Sequence, residues 1–250
     1  MELIRIERFD PIAVLELNRG VTNALNLQLL QELAEAIRLV RESAEIRSLV
    51  LTSANDKFFS IGLDIPHLLD LGQEDAASFY WAFNQVCLGL FTLPKPTVAA
   101  ITGHAIAGGC ILALCCDFRL IAEGRRLMGL NEVKLGLPVP YLADCLLRQI
   151  AGARQARDMM ETGEFYRPEE LLRLGIVDQV LPLDEVRTEA MKKGRALGAL
   201  PAHAFGVIKR SRVEIVEAQV LAHPEKDQVF VECWCTEEAQ ALLREAAGKF

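Results

Sequence analysis

Residues 97–116 form a stretch of twenty positions without a charged side chain, running from Thr97 through Gly103, His104, Gly108 and Gly109 to Cys115-Cys116. Such a run has to be buried. The glycines and the histidine interrupt it and Asp117 follows at once, so it reads poorly as a membrane span. A buried strand over 96–102, a turn over 103–109 and a buried helix over 110–116 fit it better. Small residues at the turn let backbone approach backbone, or a ligand, closely. The first N–H groups of the helix have no internal acceptor and point outward. A carbonyl that gains charge during a reaction is one fitting guest for them. From this segment alone, a helix packed tightly under a sheet explains the glycines equally well. The G-x-G-x-x-G dinucleotide spacing and the P-loop pattern are both absent.

Around this segment the chain alternates strand and helix. Short strands are expected at 3–7 and 13–17, joined by the turn at Asp10-Pro11. Leu27, Leu30, Leu33, Ile37 and Val40 recur at helical spacing within 23–41. A buried strand at 48–52 leads into a loop over 55–64 that carries Gly62, and a helix follows at 75–91. Beyond the central segment, 118–121 reads as strand and 129–140 as loop. Helices are expected at 141–150, 152–161, 168–174, 183–197, 201–216 and 226–246, with one strand at 176–180. The fold class is therefore α/β, with a core over 1–190 and a helical region over 191–250. With 51% apolar residues, 250 positions can bury a substantial core.

The formal charge of −7 is spread without a long single-sign run, which argues against a nucleic-acid partner. The N-terminus lacks a basic segment followed by an apolar stretch, so a cytoplasmic and bacterial protein is expected; a mature organellar chain would read the same. Seven cysteines without a C-x-x-C pair read as buried thiols in a reducing compartment. The four histidines have no zinc spacing, and no metal is expected. Ser60 lacks the G-x-S-x-G setting of a nucleophile.

Among the carboxylates, Glu132 stands apart because its neighbours are Leu127, Met128, Leu130 and Val133. Burial there raises a carboxyl pKa and suits a group that must take and return a proton. A solvent-exposed loop carboxylate or a helix cap is the plainer reading. Asp117 reads as structural, Asp64 as ordering its glycine loop, and His104 as a hydrogen-bonded structural residue.

Several short motifs, in order and at their spacing, resemble the crotonase family, also called enoyl-CoA hydratase/isomerase. They are Asn23-Ala24-Leu25-Asn26, the loop from Phe59 to Asp64, the stretch from Ala99 to Cys110, Cys116 to Leu120, Gly129 to Gly136, and Gly175 to Asp178. The resemblance covers nearly the whole chain. It implies a spiral of ββα turns with a helical C-terminal region that serves trimerisation and covers the active site. It also implies a homotrimer or a dimer of trimers. The substrate would be an acyl-CoA thioester, with no separate cofactor because CoA belongs to the substrate. The thioester oxygen would receive the N–H groups of Leu63 and Gly108. Asn23, Ala24, Leu25, Ile61, Gly62, Asp64 and Ile65 would lie along the CoA, and Lys249 would meet its phosphates. Leu68, Trp81, Ile111 and Pro138 would border the acyl group.

One departure bears on the subclass. Hydratases of this family carry a second glutamate just after the Gly-Gly-Cys turn, where this chain has Ile111. An aliphatic side chain cannot activate water. The pattern resembles the mitochondrial-type Δ3,Δ2-enoyl-CoA isomerases, which keep one glutamate, here Glu132. It implies a 1,3 proton shift through a dienolate. Another crotonase-type reaction (atypical hydration, decarboxylation, a ring-acyl substrate) and a non-catalytic acyl-CoA binder remain open alternatives at this point.

Overall fold

The structure is a computed structural model and describes residues 1–248; Lys249, expected at the CoA phosphates, lies outside the described residues. The chain opens with β1 (Ile4–Phe9), β2 (Ile12–Leu17), α1 (Leu27–Glu42) and β3 (Ser48–Ser53). It continues through β4 (Phe58–Ser60), α2 (Ile65–Leu69), α3 (Gln73–Phe91), β5 (Thr97–Ile101), β6 (His104–Ile106) and α4 (Gly108–Leu114). Next come β7 (Phe118–Ala122), β8 (Met128–Gly129), a 3-10 turn (Glu132–Leu135), α5 (Tyr141–Thr162), α6 (Pro168–Arg173) and β9 (Gln179–Leu181). The last four helices are α7 (Leu183–Gly198), α8 (Ala202–Ala222), α9 (Glu225–Trp234) and α10 (Glu237–Ala247).

Two sheets organise these elements. Six strands form the larger one in the order β1-β2-β3-β5-β7-β9, with β1 antiparallel to β2 and every other neighbouring pair parallel. Strands β2, β3 and β5 are buried along their whole length, as parallel strands covered on both faces should be. Their side chains alternate between two cores. Leu15, Leu49, Leu51, Ala99 and Ile101 face the main core. Val14, Val50, Val98, Ala100 and Leu120 face a smaller one, closed by Val186 and Ala190 of α7. The smaller sheet is the parallel trio β4-β6-β8. The chain therefore winds three times through the same path: a strand of the large sheet, a strand of the small sheet, then a helical segment. This is the expected ββα spiral followed by helices.

The small sheet is absent from the sequence reading, which leaves 55–64, 103–109 and 129–140 as loops and turns. Strands of two or three residues offer too few positions for a period to appear. The expected helix over 226–246 is in fact two helices, because Thr236 accepts the Ala239 N–H at 3.2 Å and starts a new one. In α5 the backbone leaves helical geometry at Gly152, which separates the two helices expected there. The strand expected at 176–180 is displaced to Gln179–Leu181, and the helix expected at 201–216 continues to Ala222. A division at residue 190 falls inside α7, which belongs to the core, so the helical extension begins at α8.

A buried polar cluster ties that extension to the core. Lys209 on α8 donates to Asp117 at 2.7 Å and to the Lys95 carbonyl at 3.0 Å, and Arg212 also meets Asp117. Asp117 in turn accepts the Thr97 N–H at 2.8 Å, the structural role expected of it. Burial pushes the Lys209 ammonium below its ordinary pKa, while Asp117 works to keep it charged. From this anchor the chain returns across its own body, with α9 packing on α3 and α10 on α2 and on the Glu132 turn. Five of the seven cysteines are buried as expected, but Cys233 is half-buried and Cys235 exposed.

Candidate active site

Three elements of the site leave the same edge of the small sheet. Leu63 follows β4, Gly108 follows β6 and Glu132 follows β8. Neighbouring strands lie about 4.8 Å apart, so the three segments emerge side by side at the carboxyl ends of their strands. Main-chain bonds hold them in register: the Ala105 N–H donates to Leu127 at 2.9 Å and the Ala107 N–H to Gly129 at 2.9 Å. His104 belongs to this framework, since its Nδ1 accepts the Leu127 N–H at 3.1 Å. Burial and the nearby Arg126 and Lys57 hold its imidazole below the usual pKa.

Tight contact between the first two segments depends on glycine. Gly62 has φ +98°, and a Cβ there would lie 2.9 Å from the Gly108 nitrogen. A Cβ on Gly109 would stand 2.2 Å from the Ser60 carbonyl oxygen. The loop after β4 is braced from below by Asn23, which has φ 46°. Its side chain donates to the Phe59 carbonyl at 3.1 Å and to Ser53 at 2.8 Å. Leu25 bridges the same loop, donating to the Gly62 carbonyl and accepting from the Asp64 N–H. That pairing consumes the groups on either side of Leu63 and not its own N–H. Gly108 is the first residue of α4, so its N–H has no acceptor within the helix. Among the described residues, neither amide donates to a protein acceptor.

Both residues line a cavity of about 280 Å³. Glu132 lines it too, is only 5% exposed, and its Oε2 has no hydrogen-bond partner among the described residues. Burial pushes its carboxyl up to about 7, against a weak opposing hydrogen bond from its own backbone. The two other ionisable side chains in the lining, Arg19 and Asp64, are paired at 2.5 Å. Asp64 also accepts the His67 N–H at 3.3 Å and caps α2, the loop-ordering role expected for it. Glu132 is thus the unpaired carboxyl of the cavity. Ile111, 1% exposed, stands in the same lining. The arrangement suits a chemistry that builds charge on an oxygen beside two amides and moves a proton to and from one carboxyl.

Of the other residues singled out in the sequence, Ala24, Ile61 and Ile65 line the cavity. Asn23, Leu25 and Gly62 lie beneath that lining and shape it. Leu68 borders a separate small void. Pro138 is half-buried outside the lining, to which its neighbours Leu137 and Pro140 contribute instead. Trp81 is 63% exposed and faces a surface cleft between α1 and α3, away from the cavity. The sequence reading missed Phe230 and Trp234 of α9 and Leu243 and Ala246 of α10, which bring the C-terminal helices into the lining of their own chain's cavity. It also missed Arg19. Among the described residues no group of His, Cys, Asp and Glu is placed to hold a metal ion, and no helix is long and apolar enough to cross a membrane.

Residues 7–241 match the family model described as enoyl-CoA hydratase/isomerase. Enoyl-CoA delta isomerase 1, mitochondrial, of Mus musculus is 30% identical over 226 residues, covering 90% of this chain and 78% of that relative. The crotonyl-CoA hydratase of Syntrophomonas wolfei subsp. wolfei is 33% identical over 198 residues, 78% of this chain and 76% of its own. The crystal structure of human mitochondrial delta3-delta2-enoyl-CoA isomerase superposes with a TM-score of 0.95 at 28% identity, covering 99% of this chain and 97% of that one. By its match over residues 7–241 and its spiral of ββα turns, this chain belongs to the enoyl-CoA hydratase/isomerase, or crotonase, family.

Proposed function

We propose that this enzyme is a Δ3,Δ2-enoyl-CoA isomerase working with a single acid–base residue, Glu132. The observation that carries the reading is one unpaired, buried carboxyl facing a cavity whose lining is aliphatic at Ile111. Ionised Glu132 removes a proton from C2 of a 3-enoyl-CoA, and the electron pair moves into the thioester to give a dienolate. The Leu63 and Gly108 amides hold the charged oxygen. Protonated Glu132 then gives its proton to C4, which leaves the conjugated 2-enoyl-CoA. Likeness to two isomerases over most of the chain supports this choice within the family.

Because the same carboxyl carries the proton both ways, part of the hydrogen at C4 should come from C2. With substrate dideuterated at C2, mass spectrometry of early product should find deuterium at C4. In the same assay kcat/KM should rise with pH through about 7, since only ionised Glu132 is a base. Product whose new C4 hydrogen comes wholly from solvent, with no rise across that range, would speak for a different proton path.

We further propose that the chain assembles as a homotrimer, alone or as paired trimers. Val207, Ile208, Ile215 and Leu221 of α8 are 53% to 72% exposed, and they recur along the outer part of one helix. A partner covering them would remove apolar surface from water. Sedimentation at low micromolar concentration should give a trimer or hexamer; a lone monomer would contradict the assignment.

A further inference from the structure

A concentration of positive charge lies where the ends of several helices meet. Arg41 at the end of α1, Arg47 just before β3 and Lys95 just before β5 line one surface cleft with Leu197 of α7 and Ala202 and Phe205 of α8. The cleft shares no lining residue with the cavity that holds Glu132. Among the described residues no carboxylate pairs with these three cations. Glu42 is the acidic residue of the lining, and Arg38 holds it at 2.5 Å. The adjacent Glu45 is held by Arg8 at 2.8 Å. Main-chain carbonyls fix the cations instead. Lys95 donates to the Val40 and Ser43 carbonyls, each at 2.5 Å, Arg41 to Gly89 at 3.0 Å and Arg47 to Leu200 at 3.0 Å. These bonds satisfy carbonyls at the ends of α1, α3 and α7, which accounts for one arm of each side chain. Neutral carbonyls leave the charge in place. Each guanidinium uses only its Nη2, and its Nε and Nη1 have no partner among the described residues. Burial holds the Lys95 ammonium below its ordinary pKa, and Arg47 and Arg41 press it in the same direction, as close like charges do. Three uncompensated cations in one cleft run against a chain whose net charge is −7. The 21-residue α8 begins at the same cleft without a side-chain cap and adds the positive end of its dipole.

We propose that this cleft binds a phosphate group, with Arg41 and Arg47 as two guanidinium forks and Lys95 as a third charge. A guanidinium matches phosphate oxygens two at a time, and an ammonium adds a compact charge beside it. A phosphate dianion has the charge and the acceptor oxygens to meet all three cations at once, which a carboxylate with one charge and two oxygens lacks. Carbonyl bonds from different helix ends hold the cations in place before any ligand arrives, so little side-chain freedom is lost on binding. The same chemistry serves a free phosphate ion and a phosphate monoester, whose organic part would meet Leu197 and Phe205.

Melting curves in inorganic phosphate and in sodium chloride of equal ionic strength test the site, at about pH 8, where phosphate is mostly dianionic. Phosphate should raise the melting temperature above its chloride control in a saturable way, because it binds the folded chain. The apparent Kd taken from that rise should weaken at least about tenfold in Arg41→Gln and in Arg47→Gln, since a hydrogen bond to a charged group is worth that much. Glutamine keeps a donor for the Gly89 or Leu200 carbonyl, and neither residue lines the active cavity, so acyl-CoA binding in phosphate-free buffer should be unchanged. Arg47→Lys keeps the charge and loses the fork; it should weaken phosphate by a smaller factor, and it serves if a glutamine variant does not fold. Phenyl phosphate separates the two sources. Tighter binding than inorganic phosphate assigns the site to a monoester, and equal or weaker binding assigns it to the free ion. A melting temperature no higher in phosphate than in chloride, or a rise that all three substitutions leave undiminished, would overturn the proposal.

Discussion

Glu132→Gln should abolish nearly all double-bond migration and at the same time make the protein more stable above neutral pH. The loss follows from the cavity having one unpaired carboxyl. General acid–base catalysis contributes about 10²- to 10⁴-fold, and in the proposed mechanism one group supplies both transfers, so a fall in kcat on the order of 10³-fold or more is expected. Acyl-CoA binding should largely persist, since Gln keeps the shape of protonated Glu. The gain in stability follows from linkage. The folded carboxyl has its pKa raised from 4.5 to about 7 by burial, so between those values the unfolded chain ionises while the folded one keeps its proton. Stability therefore falls as pH rises through that window, and above about 7 the full penalty of about 3 kcal/mol applies. Glutamine carries no such penalty at any pH. Thermal melts of the two proteins should nearly coincide at acidic pH, near 4.5, and separate in favour of the variant by pH 8. Wild-type turnover in Glu132→Gln would end the assignment. A lost activity with no pH-dependent change in melting would show that the carboxyl is not held in a low-dielectric setting.

That carboxyl was legible in the sequence because its immediate neighbours are apolar, and local context alone implies burial. The two amide segments were legible for a similar reason: glycine beside a buried strand marks a close approach. What local context could not give is convergence. Leu63, Gly108 and Glu132 meet because β4, β6 and β8 lie side by side, and those strands are too short to show a period. Trp81 illustrates a second limit. Positions 76, 79, 80, 83 and 87 fall on one side of a 3.6-residue helix, and Trp81, about 100° beyond Tyr80, falls off that side. The buried stripe Ala76, Phe79, Tyr80, Phe83 and Cys87 takes Tyr80 inward and leaves Trp81 outside. That spacing was available in the sequence and would have separated the two. Phe230 and Trp234 were different. Whether their helix covers this chain or a neighbour depends on contacts some 150 positions distant, such as that of Phe230 with Tyr80, which no local pattern encodes.

The convergence itself can be tested without touching either donor or the carboxyl. In Gly109→Ala the new methyl would stand 2.2 Å from the Ser60 carbonyl oxygen, and 2.8 Å from both its carbon and the Ser60 Cβ. None of the backbone atoms there is the free end of a flexible side chain, so α4 or the loop after β4 has to move. Gly108 sits at the start of α4, one residue before the methyl, and Leu63 lies three residues beyond Ser60. Any displacement that relieves the clash therefore changes the spacing between the two amides. Losing the effect of one oxyanion donor costs about 10²- to 10³-fold in kcat, and a loss of that size is expected here. Overpacking costs a further 1–3 kcal/mol, roughly, in stability. Because Glu132 is unaltered, the rise of kcat/KM with pH should survive at the reduced rate, which separates a misplaced oxyanion hole from a disturbed base. Cys110→Ser, one residue further into the same buried helix, serves as a control for general disturbance of α4, since it changes no main-chain spacing. A Gly109→Ala enzyme with undiminished kcat would mean that the approach of these two segments does not stabilise the transition state.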